Sequence, residues 1–221
     1  MDLETLNTEI IACRQCPRLV EWRERVAREK RKAYRGQEYW GKPVPGFGDP
    51  HARVLVVGLA PGAHGSNRTG RMFTGDGSGD FLYPALFRAG FANQPHSSAR
   101  DDGLTLRDLY ITAAGRCAPP DNKPSTEELT TCQPYLEREL ELLQPKVIVA
   151  LGRIAFDRIV RIYSVHGLLS TVKFSHGATY SLMTDHWLLA SYHPSQQNTL
   201  TGKLTVDMFD DIWKKAKTSL E

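Results

Sequence analysis

The four cysteines of this chain stand at positions 13, 16, 117 and 132. Cys13 and Cys16 form a C-x2-C pair. Cys117 and Cys132 are separated by fourteen residues, so the set suits a discontinuous four-thiolate site rather than a compact zinc ribbon. In a cytosolic chain disulfides are disfavoured, which leaves a structural zinc, an iron–sulfur cluster or unrelated buried thiols; thiolate count does not separate the two metals. Three further stretches carry polar chemistry. GLAPGAHGSNRTGRMFTGD (58–76) supplies glycines that let backbone approach a ligand, an aromatic ring at Phe73, and a carboxylate at Asp76 near an expected helix start, where a capping role competes with a catalytic one. It contains no G-x-G-x-x-G, which argues against a dinucleotide loop. In GRCAPPDNKP (115–124), flanking prolines stiffen the chain around Asn122, whose amide can donate and accept together at a base edge; the plain alternative is a turn asparagine. SYHPSQQN (191–198) fixes His193 ahead of Pro194, where an imidazole can stabilise an anionic leaving group or move a proton, followed by the polar tail Ser195, Gln196, Gln197 and Asn198. A lone loop histidine more often does neither.

Charge is uneven. Seven Arg and Lys stand against three Glu between residues 21 and 35, a local +4, so the rest of the chain sums to −1 within the overall +3. Such a segment can follow a phosphate backbone or form a solvated helix face.

These groups need a frame. Leu3, Leu6, Ile10 and Cys13 recur at helical spacing, so residues 2–13 predict a short amphipathic helix; Pro17 is expected to break the chain, with a basic helix over about 20–32. The Gly- and Pro-rich stretch GQEYWGKPVPGFGDP reads as an ordered loop. Continuous apolar runs at 54–58, 109–114, 147–151 and 187–191 predict four strands buried on both faces, alternating with helices such as 125–143 and 153–163. The expected fold class is α/β, a three-layer α/β/α arrangement around a four-stranded, mostly parallel sheet. One domain over 1–221 is expected, and 171–185 reads as an extra hairpin with its turn near Ser175-His176-Gly177. Each polar loop follows a strand, so all three converge on the carboxyl rim where open sheets bind ligands. The longest aliphatic run, 147–151, is far short of the roughly 18 residues of a membrane span, and the acidic start lacks the features of a secretory signal, so the expected setting is the cytoplasm, with no membrane partner. Ordinary apolar content (41%) and small net charge exclude disorder as the main state, and nothing demands more than a monomer.

Taken together and in this order, Cys13-x2-Cys16, the 58–76 loop, GRCAPPDNKP with Cys117, Cys132 and HPSQQN resemble the iron–sulfur uracil-DNA glycosylases, most closely family 5 (type b), from about residue 3 to the C-terminal helix. The sister family 4 has an acidic residue after its GEAPG motif, whereas here Ala63 follows GLAPG; Ala63 cannot activate water, and the resemblance shifts that duty to Asp76. It further implies that Phe73 stacks on an extruded base, Asn122 reads its edge, His193 sits near its carbonyl, and Gly58 and Ala63 belong to the base pocket. Arg68, Ser195, Gln196 and Asn198 are the implied DNA contacts. Cys13, Cys16, Cys117 and Cys132 match the ligands of a [4Fe–4S] cluster that would tie the N-terminal helices (about 2–32) to the core. The implied activity is a monofunctional glycosylase of a prokaryotic cytoplasm and nucleoid, acting on single- or double-stranded damaged DNA that contains uracil and on other deaminated bases such as hypoxanthine. A non-catalytic iron–sulfur DNA-binding module on the same scaffold is the alternative.

Overall fold

The computed structural model describes residues 2–164, 172–183 and 185–221. Two helices open the chain. Helix α1 (Leu3–Ala12) is capped by Asp2, whose side chain accepts from the Thr5 amide at 2.9 Å, and it buries the expected stripe residues Leu6 and Ile10. Pro17 does not end order here: it occupies the first turn of α2 (Pro17–Glu29), where its missing N–H would be unpaired anyway and its φ is already helical, so α2 begins directly after Cys16.

Among the described residues six strands form one sheet: β1 (Phe47–Gly48), β2 (Val54–Gly58), β3 (Leu109–Ala113), β4 (Val147–Leu151), β5 (Thr179–Met183) and β6 (His186–Ser191), in the spatial order β1, β3, β2, β4, β6, β5. The four expected strands are the parallel centre, β3, β2, β4 and β6. The expectation of a four-stranded sheet is corrected by two antiparallel edges. Strand β1 is two residues long inside the Gly- and Pro-rich stretch, and it exists because Gly48, at φ +141°, lets the backbones close: a Cβ there would lie 2.3 Å from the Leu109 carbonyl oxygen. Strand β5 pairs with β6 rather than within 171–178; the 176–177 turn precedes it, and the chain reverses next to Asp185. Thr171 and Thr184 of the expected hairpin lie outside the described residues.

Among the described residues six further α-helices follow: α3 (Ser66–Thr69), α4 (Gly79–Arg88), α5 (Thr126–Leu143), α6 (Arg153–Ser164), α7 (Gln196–Leu200) and α8 (Val206–Thr218). Alternate strand residues point to opposite faces. Val56, Ile111, Val149 and Leu189 pack against Leu82 and Leu86 of α4 and Phe209 and Trp213 of α8. Val57, Tyr110, Ile148 and Leu188 pack against Leu136 and Leu140 of α5 and Phe156 and Ile159 of α6, and α1 lies on α5. These two apolar layers make the α/β/α sandwich and explain why the central strands read as unbroken apolar runs. Among the described residues no helix is long and apolar enough to cross a membrane.

Candidate active site

The loops that leave β2, β3 and β6 wall one cleft of about 840 Å³ at the carboxyl rim of the sheet, a size ordinary for small-molecule sites. Strand β2 has β3 on one side and β4 on the other, so the cleft sits where the chain's winding changes direction, the usual ligand position in such sheets. Gly58, Ala63, Phe73, Asp76, Asn122, His193, Ser195 and Gln196 all line it.

Asp76 divides its carboxylate between two tasks. Oδ1 accepts the amides of Ser78 and Gly79 at 3.1 Å each, ordering the approach to α4. Oδ2 lies against the 62–65 backbone, where a Cβ on Gly65 would come within 1.9 Å of it and one on Gly62 within 3.1 Å. Burial raises the Asp76 carboxyl above its ordinary value, and the two amides pull it back in part.

Phe73 is held in the left-handed region at φ +52°, a placement that costs of order 1–3 kcal/mol for a bulky residue. Ser66 Oγ accepts its amide at 3.0 Å. Gly58 gives its ring room, since a Cβ there would lie 2.8 Å from Cζ. The ring stands 5.9 Å from that of His193, centroid to centroid.

His193 is carried by the loop between β6 and α7. Asn198 Nδ2 donates to its carbonyl at 2.8 Å, and Gly152, at φ +95°, lies against its Cβ. Burial pushes its imidazole down to about 4, so it is neutral at neutral pH and can offer an N–H to a developing oxyanion. Asn122 and Asp121 are both left-handed, at φ +56° and +52°, in a short turn closed by the Lys123 amide on the Pro120 carbonyl at 2.9 Å. The prolines stiffen this turn so that an exposed amide faces the cleft.

Two expected DNA contacts also make contacts within the chain, and Arg68 is turned inward. Arg68 is 8% exposed, stacks on Tyr34 at 4.1 Å and spends its guanidinium on the chain itself: on the His64 carbonyl (2.7 Å), Gln37 Oε1 (2.6 Å) and the Gly75 carbonyl (2.8 Å). Asn198 is the brace of His193 just described. Both set the shape of the cleft from behind. Arg23, counted above in the basic segment, is likewise inside at 1% exposure. The structure adds His64, Arg31, Tyr34 and Asp121 to the cleft wall. His64 follows Ala63 in a loop already singled out and was the legible one; its Nδ1 pairs with Tyr39 Oη at 3.0 Å across a contact that spacing does not reveal.

The four thiols line a second pocket between α1, α2, the loop after β3, and α5. Burial drives the Cys117 thiol up to about 12 and that of Cys132 up to about 11, and the sulfurs raise one another; Arg23 opposes this at Cys117 and Arg116 at Cys132. Such thiols become thiolates only against strong positive charge, which is what a bound metal centre provides. The buried guanidiniums of Arg23 and Arg116 each leave Nε and Nη1 without a partner. Four thiols lining one pocket, with the spare Nε and Nη1 of Arg116 in its wall, are the donor set a thiolate-held metal group requires, although among the described residues no three His, Cys, Asp or Glu side chains form a preassembled site for one metal ion.

The sequence model of the Uracil DNA glycosylase superfamily matches residues 45–217. The chain is 55% identical over 218 residues to the Type-5 uracil-DNA glycosylase of Thermus thermophilus, covering 98% of each protein. It is 53% identical to that of Mycobacterium leprae, covering 96% of this chain and 93% of the relative, and 46% identical to that of Pyrobaculum aerophilum, covering 94% and 88%. Near full-length similarity of this kind joins the cleft and the thiol pocket to a single answer: the chain belongs to the uracil-DNA glycosylase superfamily and, within it, to the type-5 enzymes.

Proposed function

We propose that the protein excises uracil from DNA by hydrolysing the N-glycosidic bond, releasing free base and leaving an abasic site with the strand intact. The observation that carries the mechanism is that Asp76 Oδ2, a neutral His193 and the Asn122 amide face one cleft beside the Phe73 ring. Flipping a nucleotide into that cleft costs a few kcal/mol, offset by stacking on Phe73 and hydrogen bonds from Asn122. His193 donates to the base oxygen as negative charge grows there, and Asp76 stabilises the sugar cation or orients the attacking water. No lysine or terminal amine is placed as a Schiff-base nucleophile among the residues that line the cleft, so cleavage of the strand is not part of this reading. Ala63, in place of a larger polar group, leaves space for purines, which extends the substrates to hypoxanthine. Exposed Arg28, Arg31 and Lys32 meet phosphates without reading sequence, and Leu200, 84% exposed at the end of α7, is the apolar group placed to fill the stack.

The proposed cofactor is a [4Fe–4S] cluster on Cys13, Cys16, Cys117 and Cys132; when bound it supplies a four-thiolate cross-link between the N-terminal helices and the core, making residues 1–221 one monomeric unit. The shared pocket and its spare N–H donors support that reading.

Labelled duplexes carrying one uracil or one hypoxanthine, incubated under single-turnover conditions and then treated with alkali, test the function. Breaks that appear only after alkali are expected for both. Refusal of hypoxanthine would confine the pocket to uracil, and no breaks from protein with an intact visible absorption band would favour a binding module.

A further inference from the structure

Arg23 is the only buried cation of the basic segment, and its surroundings do not account for its charge. Nη2 reaches the Cys13 carbonyl at 3.4 Å and lies 3.8 Å from Glu24, a carboxylate already paired with Arg14, while Nε and Nη1 have no partner. Leaving a guanidinium buried and half-satisfied is strongly unfavourable, so an anionic group must belong beside it. Arg116 lines the thiol pocket itself, whereas Arg23 stands behind it on the Cys13 carbonyl, and Glu139 neutralises Arg116: their ion pair is completely buried, and Thr112 Oγ1 donates to the same carboxylate oxygen at 2.7 Å. The two arginines therefore differ. One carries a compensated charge; the other has only a distant share of Glu24, at 3.8 Å.

We propose that Arg23 is the counter-charge of the cluster, an outer-sphere positioning residue whose free N–H groups serve the Cys13 and Cys117 side of the thiolate cage and set its reduction potential. This rests on the [4Fe–4S] reading. A resting core of that type is doubly positive, so four thiolates leave the assembly doubly negative, and each added electron deepens the imbalance that Arg23 relieves. Arg23 also ties the cage to the catalytic loop, because Asn67 Nδ2 donates to its carbonyl at 3.3 Å while the Asn67 amide donates to the Gly62 carbonyl at 3.0 Å.

The experiment uses full-length protein purified without oxygen, with iron per chain, the visible absorption band and the one-electron reduction potential measured for wild type, Arg23→Lys, Arg23→Gln and Glu139→Gln. Arg23→Gln should still fold around a cluster, yet its potential should fall by about 59 mV or more, a tenfold change in the oxidised-to-reduced ratio, and its band should bleach several-fold faster under an iron chelator. Arg23→Lys should hold most of the wild-type potential. Glu139→Gln frees the Arg116 charge and should move the potential in the opposite direction, a sign that general loosening of the fold would not produce. An Arg23→Gln protein with wild-type potential and bleaching overturns the proposal. So do shifts of the same sign in Arg23→Gln and Glu139→Gln, the pair that decides the matter should Arg23→Gln bind less iron. Wild-type protein without iron or a visible band overturns the cluster reading itself, a separate failure.

Discussion

Asp76 Oδ1 accepts two amides at the approach to α4 while Oδ2 lies beside Gly62 and Gly65 in the cleft wall, so its structural and chemical roles can be separated by substitution. Asp76→Asn retains an acceptor for the amides and should leave the denaturation midpoint nearly unchanged, while single-turnover uracil excision falls by about 10²-fold or more. Asp76→Ala should show the same kinetic loss together with about 1 kcal/mol of lost stability. A wild-type rate in Asp76→Asn would remove the carboxylate from the chemistry. Acidity follows the same two groups. The proposed mechanism needs Asp76 ionised and His193 neutral, and Asp76 is raised above its usual range while His193 is lowered to about 4. The rate should therefore be level around neutral pH and fall on acidification, and in Asp76→Asn the residual rate should lose the contribution of the Asp76 carboxyl to that acid limb. Residue types and spacing pointed to both side chains. They did not reveal that Arg68 is spent on three backbone and side-chain acceptors, because Gln37 and Tyr34 approach it from a distant segment.

Helices α2 and α5 meet around the thiol pocket through one carboxylate. Glu128 accepts the Ser125 amide at 2.7 Å in a reciprocal cap with Ser125 Oγ, and it accepts two N–H groups of Arg18 at 2.7 Å each. Ser125→Ala should lower stability by about 1 kcal/mol, read from the midpoint of urea unfolding, because the start of α5 loses its cap. The exposed cations at the end of α2 and just beyond it, where the helix stops at Glu29 rather than near residue 32, make a different prediction. If Arg28, Arg31 and Lys32 neutralise phosphates, replacing all three with alanine should reduce the slope of log affinity against log salt by roughly 0.9 for each phosphate left without its cation. An unchanged slope would return that face to solvent. At this scale the long elements were readable: the amphipathic stripe of α1, the span of α5 and the four apolar strands all appear where local pattern places them. The start of α2 and the two edge strands were not. Proline has opposite meanings at the first and later turns of a helix, and β1 and β5 are defined by their partners β3 and β6 rather than by their own composition.

For the molecule as a whole, acid lability follows from three imidazoles, His64, His176 and His193, each lowered first by burial. The unfolded chain binds protons at the ordinary histidine value of 6.5, whereas folded His193 resists them until about 4. Across that window the unfolded state holds more protons, so stability should be full above it and decline as pH falls through it, visible as a decreasing melting temperature. His193→Gln should flatten the decline; an unchanged curve would place the acid sensitivity elsewhere. The sequence by itself determined the three layers, the order of the central elements along the chain, the convergence of three loops on one rim and the candidate residues that line it, because these depend on short-range periodicity, turn chemistry and motif spacing. Tertiary structure alone decided which cations are inside, how the Asp76 carboxylate is divided and where the sheet ends. Burial and partnership are sums over groups from remote segments, as when Arg23 of α2 comes to act on Cys117 beyond β3, and no local pattern carries that sum.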